Sequence, residues 1–81
     1  MASLNTFTLF LYNYTTGEVI MQTCRYTSVN RARIGFITRV RNWGGLRDGD
    51  EFTLEIKEGD LPHDINYVDA MIKKNDCRER A

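Results

Sequence analysis

The sequence predicts an α+β fold: a single small domain of order ββαβα, with a three-stranded sheet in the order 2-1-3 packed by a helix and followed by a C-terminal helix. Three observations predict it. Residues 6–14, "TFTLFLYNY", and residues 18–27, "EVIMQTCRYT", are rich in aromatic and β-favouring types on either side of a "TTG" turn. Residues 29–43 repeat apolar side chains at helical spacing, and residues 51–57 alternate apolar and polar. Eighty-one residues leave room for one core, so residues 1–81 are expected to form one domain with its ordered part at about 5–75.

The first two strands should form a β-hairpin. A loop of Thr15, Thr16 and Gly17 suits a type I turn closed by a left-handed glycine, and it would set Tyr14 opposite Glu18 and Tyr12 opposite Ile20. In that register Phe7, Leu9, Leu11, Val19 and Met21 share the better core face. Phe10, Tyr12, Tyr14 and Ile20 fall on the other face with Thr8, Gln22 and Cys24.

The helix that follows opens near Val29, where Thr27 or Ser28 can cap the free N–H groups of its first turn, and Gly44-Gly45 ends it. At roughly 100° per residue, Val29, Ala32, Phe36, Val40 and Trp43 form one apolar stripe with Ile37 on its edge. Ile34 lies outside that stripe beside Arg41, and Arg31, Gly35, Thr38 and Asn42 make up the far side. Three local preferences are broken there. Gly35 costs about 1 kcal/mol relative to alanine in a helix interior, Arg31 and Arg33 oppose the dipole of the first turn, and Ile34 is an aliphatic side chain on a polar face. Breaches of this kind point toward a surface with a purpose.

After a turn at Asp48-Gly49-Asp50, Phe52, Leu54 and Ile56 alternate with Thr53, Glu55 and Lys57 as in a half-buried strand. From His63 to about Asn75, Ile65, Val68 and Ile72 recur at helical spacing, with Leu61 before them and Met71 nearby. The tail "DCRERA" is expected to fray. A right-handed crossover from the second strand to the third carries the first helix over the first strand and makes that strand central. The second helix can lie beside the first or on the opposite face. If it leaves the outer hairpin face open, Phe10, Tyr12, Tyr14 and Ile20 form an aromatic and apolar patch through which two copies could pair.

Formal net charge is zero, but the charges are separated along the chain. Residues 1–47 carry six arginines against Glu18, a sum of 6 − 1 = +5, and residues 48–81 carry five cations against ten acids, a sum of 5 − 10 = −5. Such a division either pairs internally or presents two faces to different partners. The N-terminal "MASLNTFTLFLYNY" lacks the pattern of a secretory signal, and no stretch reaches the roughly 18 apolar residues of a membrane span. A cytoplasmic protein without membrane contact is expected. Cys24 and Cys77 are 77 − 24 = 53 positions apart with only His63 to join them, so reduced thiols and no metal or other cofactor are expected.

No nucleophile elbow, phosphate-cradling glycine loop or HExxH motif is present in the sequence, so no catalytic residue is nominated and a non-enzymatic binding role is expected. The candidate partner-binding residues are Arg31, Ile34, Arg39 and Arg41 on the first helix, with Phe10, Tyr12, Tyr14 and Ile20 on the hairpin. Five arginines between positions 31 and 47 keep nucleic acid as an alternative partner, since the guanidinium fork suits phosphate. The neutral total and the acidic runs at 48–51 and 58–64 favour protein.

The stretch "LYNYTTGEVIMQTCRYTSVNRARIGFITRVRNWGGLRDGDEFTLEIKEG", a hairpin leading through a Thr/Ser-capped helix into one alternating strand, resembles small phage-encoded inhibitors of host machinery, among them coliphage inhibitors of host RNA polymerase and anti-CRISPR proteins. The resemblance covers roughly residues 6–58, is architectural, and transfers no site residue. It implies a protein of the host cytoplasm that blocks a host protein or protein complex by binding it. Within the same stretch "LRDGDEFTLEI" is similar to a turn and strand of ubiquitin-like sulphur carriers, whose C-terminal Gly-Gly is not matched by the ending "CRERA".

Overall fold

The computed structural model describes residues 3–74 and 78–81. The chain runs through β1 (Asn5–Asn13), β2 (Val19–Tyr26), α1 (Val29–Asn42), β3 (Glu51–Glu58), α2 (Ile65–Lys74) and β4 (Glu79–Arg80). The sheet is four-stranded in the order β2-β1-β3-β4, and every neighbouring pair is antiparallel. The order of the three long strands is the expected one. Within the tail expected to fray, Asp76 and Cys77 lie outside the described residues, and residues 78–81 depart from expectation because Glu79–Arg80 form β4. Glu51 stands opposite Arg80 and Phe52 opposite Glu79. Main-chain bonds from Gly49 N–H to the Ala81 carbonyl (2.9 Å) and from Ala81 N–H to the Asp50 carbonyl (2.8 Å) fasten the end of the chain. A two-residue strand has no periodicity to read, and its partners lie some thirty positions away.

The hairpin register also differs from the sequence expectation. Asn13 is the reason. Its side-chain oxygen accepts from the N–H groups of Thr15 (2.9 Å) and Thr16 (3.2 Å), while its own carbonyl accepts from Gly17 N–H (2.7 Å). With Gly17 in the left-handed region at φ 78°, residues 14–17 form a loop one residue longer than the three-residue turn. Tyr12 therefore pairs with Val19 and Leu11 with Ile20. A shift of one position moves every side chain of β2 to the other face. Ile20 and Cys24 join Phe7, Leu9 and Leu11, whereas Val19 and Met21 join Phe10 and Tyr12.

Each face of the sheet carries a helix. On one, Ala32, Phe36 and Val40 of α1 are buried against Phe7, Leu9, Leu11, Ile20, Leu46 and Phe52. On the other, Val68 and Met71 of α2 enclose Phe10, with Tyr12, Val19, Met21, Tyr67 and Ile72 packed around them. Ser28 caps α1 by accepting from Arg31 N–H at 3.2 Å. At the other end Gly45 N–H reaches the Val40 carbonyl and Gly44 N–H the Arg41 carbonyl, the paired bonds that close a helix on a left-handed glycine. Gly44 supplies that conformation at φ 83°. Val29 (56% exposed) and Trp43 (51% exposed) lie at the two ends of the expected apolar stripe and stay outside the core, so only its middle turns are covered.

Two polar knots hold the loops. The fully buried Asn13 amide donates to the Gly45 carbonyl (3.1 Å) and to Asp50 Oδ2 (3.0 Å), and the same carboxylate oxygen accepts from Arg47 N–H at 3.0 Å. These bonds, Asn13 first and the Arg47 backbone second, hold the Asp50 carboxyl below its ordinary value of 3.8, against the opposing effect of burial. At the other end of β1, buried Thr8 donates to the Gly59 carbonyl (2.7 Å) and accepts from Leu61 N–H (2.9 Å), which fixes the chain leading into α2. Among the described residues no helix is long and apolar enough to cross a membrane.

Candidate functional site: the outer face of α1

The packing of α1 decides which of its residues remain available. Because Ala32, Phe36 and Val40 point at the sheet, Arg31, Ile34, Thr38 and Arg41, spaced three or four apart, fall on the opposite side and are exposed. Ile34 is 58% exposed, the highest value for any large apolar side chain among the described residues. It borders a groove of about 520 Å3 lined by Tyr26, Asn30, Arg31, Ile34 and Gly35.

Gly35 has a structural cause. A Cβ placed on it would come within 2.7 Å of the Tyr26 ring, so the ring rests against helix backbone, and both residues line the groove. The mid-helix glycine that suggested a partner surface is thus explained by close approach within the fold. Tyr26 and Asn30 were not singled out in the sequence, although an interior glycine is itself a sign that something approaches the helix closely.

The arginines divide into engaged and unengaged groups. Arg39 lies over β2 and donates to Gln22 Oε1 (3.1 Å), Cys24 Sγ (3.4 Å) and the Tyr26 hydroxyl (3.3 Å). Arg41 is ion-paired with Asp48 at 2.5 Å, and Arg33 is paired with Glu79 of β4. Part of the charge separation along the chain is therefore cancelled internally. Arg31 is exposed and has no carboxylate within ion-pair distance among the described residues.

The hairpin half of the predicted surface is not open. Phe10 is 1% exposed beneath α2, its ring centroid 4.4 Å from that of Tyr67. Ile20 is 6% exposed and belongs to the opposite face, under α1, because of the longer turn. Tyr12 packs against the α2 cluster and meets Tyr14 edge-on at 4.9 Å, while the guanidinium of Arg78 covers Tyr14 at 4.0 Å from the ring centroid. α2 and Arg78 thus cover the Phe10, Tyr12 and Tyr14 side of the surface through which two copies were expected to pair, and α1 covers Ile20.

Two smaller hollows flank α2. One of about 180 Å3 is lined by Phe10, Leu61, Pro62, Asp64 and Tyr67, and one of about 150 Å3 by Glu55, Lys57, Tyr67, Ala70 and Met71. In the second, burial and then the hydrogen bond to Glu55 raise the Tyr67 phenol above its ordinary value, and the Tyr67 and Glu55 oxygens raise Lys57. Both shifts keep Tyr67 neutral and Lys57 cationic near pH 7, so the group acts as a polar brace between β3 and α2. His63 Nε2 lies 2.9 Å from Thr23 Oγ1 at the surface. No group of three or more histidine, cysteine or acidic side chains gathers to hold a metal among the described residues, and Cys77 lies outside them. The chain matches no protein-family model, no curated protein and no solved structure.

Proposed function

We propose that this chain is a non-enzymatic protein-binding module whose partner seats on the outer face of α1, with Ile34 as the apolar anchor and Arg31 as the charged one. The observation that carries the reading is Ile34, a β-branched aliphatic side chain exposed in the middle of a helix and bordering a groove with an unengaged arginine on its rim. Scattered apolar residues at a surface are ordinary. One that adjoins a groove and an unpaired cation has the makings of an anchor, since binding sites centre on an aromatic or aliphatic side chain at a pocket and arginine is enriched among hot spots.

The activity is stoichiometric occupation. Inhibition of a host protein complex, which the resemblance to phage-encoded inhibitors implies, would follow from that occupation and saturate at one equivalent. A nucleic-acid role receives less support, because Arg33 and Arg41 already face carboxylates and Arg39 is tied to β2. Too few free cations remain on α1 to follow a phosphate backbone.

Photo-crosslinking side chains placed one at a time at position 38, on the same side of α1 as Ile34, and at an exposed α2 position identify the partner, and titration of the purified pair then measures stoichiometry and affinity. Ile34→Ser should weaken binding by more than about 2 kcal/mol, the size of a hot spot, with melting changed by less than about 0.5 kcal/mol. Crosslinking from the α2 position and not from position 38, or binding by Ile34→Ser equal to the parent's, would remove α1 as the interface.

A further inference from the structure

The groove beside Ile34 also specifies the chemistry of what it holds. We infer that it takes a short segment of another protein in which an aspartate or glutamate stands within a turn of a large apolar side chain; this deepens the α1-face reading and rests on it. Its lining joins the Tyr26 ring, which lies against Gly35, with the apolar side chain of Ile34. Arg31 and Asn30, both exposed, supply the polar part of the lining. Such a site accepts an apolar side chain into the groove and presents a guanidinium and a carboxamide to whatever flanks it.

Charge selects the flanking group. The first turn of α1 contains no acid, and the other helix arginines are engaged: Arg33 with Glu79, Arg41 with Asp48, and Arg39 with Gln22, Cys24 and Tyr26. Arg39 meets only neutral groups, so its charge too lacks a counter-ion, but its donors are taken up on β2; among the described residues Arg31 is the one helix arginine with neither a carboxylate at ion-pair distance nor a side-chain hydrogen bond within the fold. A planar guanidinium at the rim of an apolar groove matches one carboxylate, which it can meet with two parallel hydrogen bonds. A nucleic acid would instead require a row of cations. Each phosphate contact steepens the dependence on salt by about one power, and one arginine cannot sustain polyanion binding.

The experiment is selection from a random-sequence peptide library on the full chain, followed by affinity measurement with the enriched peptide and its lysine-for-acid counterpart. The enriched sequences should pair an acidic with a large apolar residue. Arg31→Glu and Ile34→Ser should each weaken the best peptide at least about tenfold, and the lysine counterpart should regain affinity on Arg31→Glu. Arg31→Lys, which keeps the charge without the fork, should fall between parent and Arg31→Glu.

Neutral or basic sequences that still depend on Ile34 would overturn the acidic specificity while leaving the α1 face as the interface. Sequences indifferent to both substitutions, or a library that yields none, would overturn the groove itself. An oligonucleotide that binds more tightly than the peptide at about 150 mM salt, where screening acts within roughly 8 Å, and that loses affinity on Arg31→Glu would make the site a phosphate reader and overturn the inference as well.

Discussion

Replacing Asn13 with alanine tests the account of the fold at the place where sequence and structure part. The amide is fully buried and satisfied on both sides, donating to the Gly45 carbonyl and Asp50 and accepting from Thr15 and Thr16. Thr15 and Thr16 are exposed, so their N–H groups can turn to water; the Gly45 carbonyl is in a buried residue. A buried polar group left without its partner costs about 1–3 kcal/mol, and loss of the bonds that shape the turn adds about 1 kcal/mol. The expected destabilisation is therefore about 2–4 kcal/mol, a large part of the roughly 5–15 kcal/mol that holds a domain together. For a chain of this length it lowers Tm on the order of 10–30 °C. Thermal unfolding followed by circular dichroism measures it, and a fall of less than about 4 °C would refute the claim that Asn13 sets the turn.

The same substitution should change the acid limb of stability. Asp50 titrates below its ordinary 3.8 in the folded protein, chiefly through the Asn13 bond, so its contribution is present above the unfolded value and lost as pH falls through the folded one. Asn13→Ala brings the two values closer together, and stability below about pH 4 should then depend less on pH than it does in the parent.

Gly35→Ala should give none of the roughly 1 kcal/mol that alanine brings to a helix interior, because the new methyl displaces the Tyr26 ring and the Arg39 bond to its hydroxyl; the gain should reappear when Tyr26 is also changed to alanine, and a single Gly35→Ala variant more stable by about 1 kcal/mol would contradict the close approach. Phe10→Ala should cost about 3–5 kcal/mol in urea unfolding, as expected for a buried aromatic, whereas a loss under about 1 kcal/mol would mean that α2 does not cover the hairpin. Removing residues 78–81 deletes β4 with the pairing of Glu51 to Arg78 and Arg80 and of Arg33 to Glu79. The expected cost is about 1–2 kcal/mol, since exposed pairs contribute at most about 1 kcal/mol each, and an unchanged Tm would show that the tail adds nothing.

The elements were readable where one segment carries its own periodicity. Phe36 and Val40 at helical spacing, the Ser28 cap, the Gly44-Gly45 stop and the alternation around Phe52 each depend on neighbours within a few positions. What escaped depends on distant partners. β4 exists because Glu51 and Phe52 offer it an edge, and α2 lies on its own face because Phe10 needs covering there, neither of which is written in the local pattern of those segments.

Register belongs to neither class. It was decided by one side chain at the end of β1, because a strand has period two and a single residue in the loop exchanges its faces. Treating Asn13 as a spectator left Ile20 outward and joined it to Phe10 and Tyr12 in an apparent binding patch; treating it as a turn-former sends Ile20 into the α1 core and gives Phe10 to α2. The consequence reaches function. With both hairpin faces covered, the exposed large apolar side chains are Val29 and Ile34 on α1, Trp43 at its end, and Leu4, Leu61 and Ile65 elsewhere, and Ile34 is the one that shares a groove with an arginine. The engaged arginines narrow the choice again, since Arg33, Arg39 and Arg41 have work within the fold while Arg31 does not. A surface residue becomes a candidate for binding only after its intramolecular partners have been counted, and on α1 that count leaves Arg31 and Ile34, three positions apart on one side of the helix.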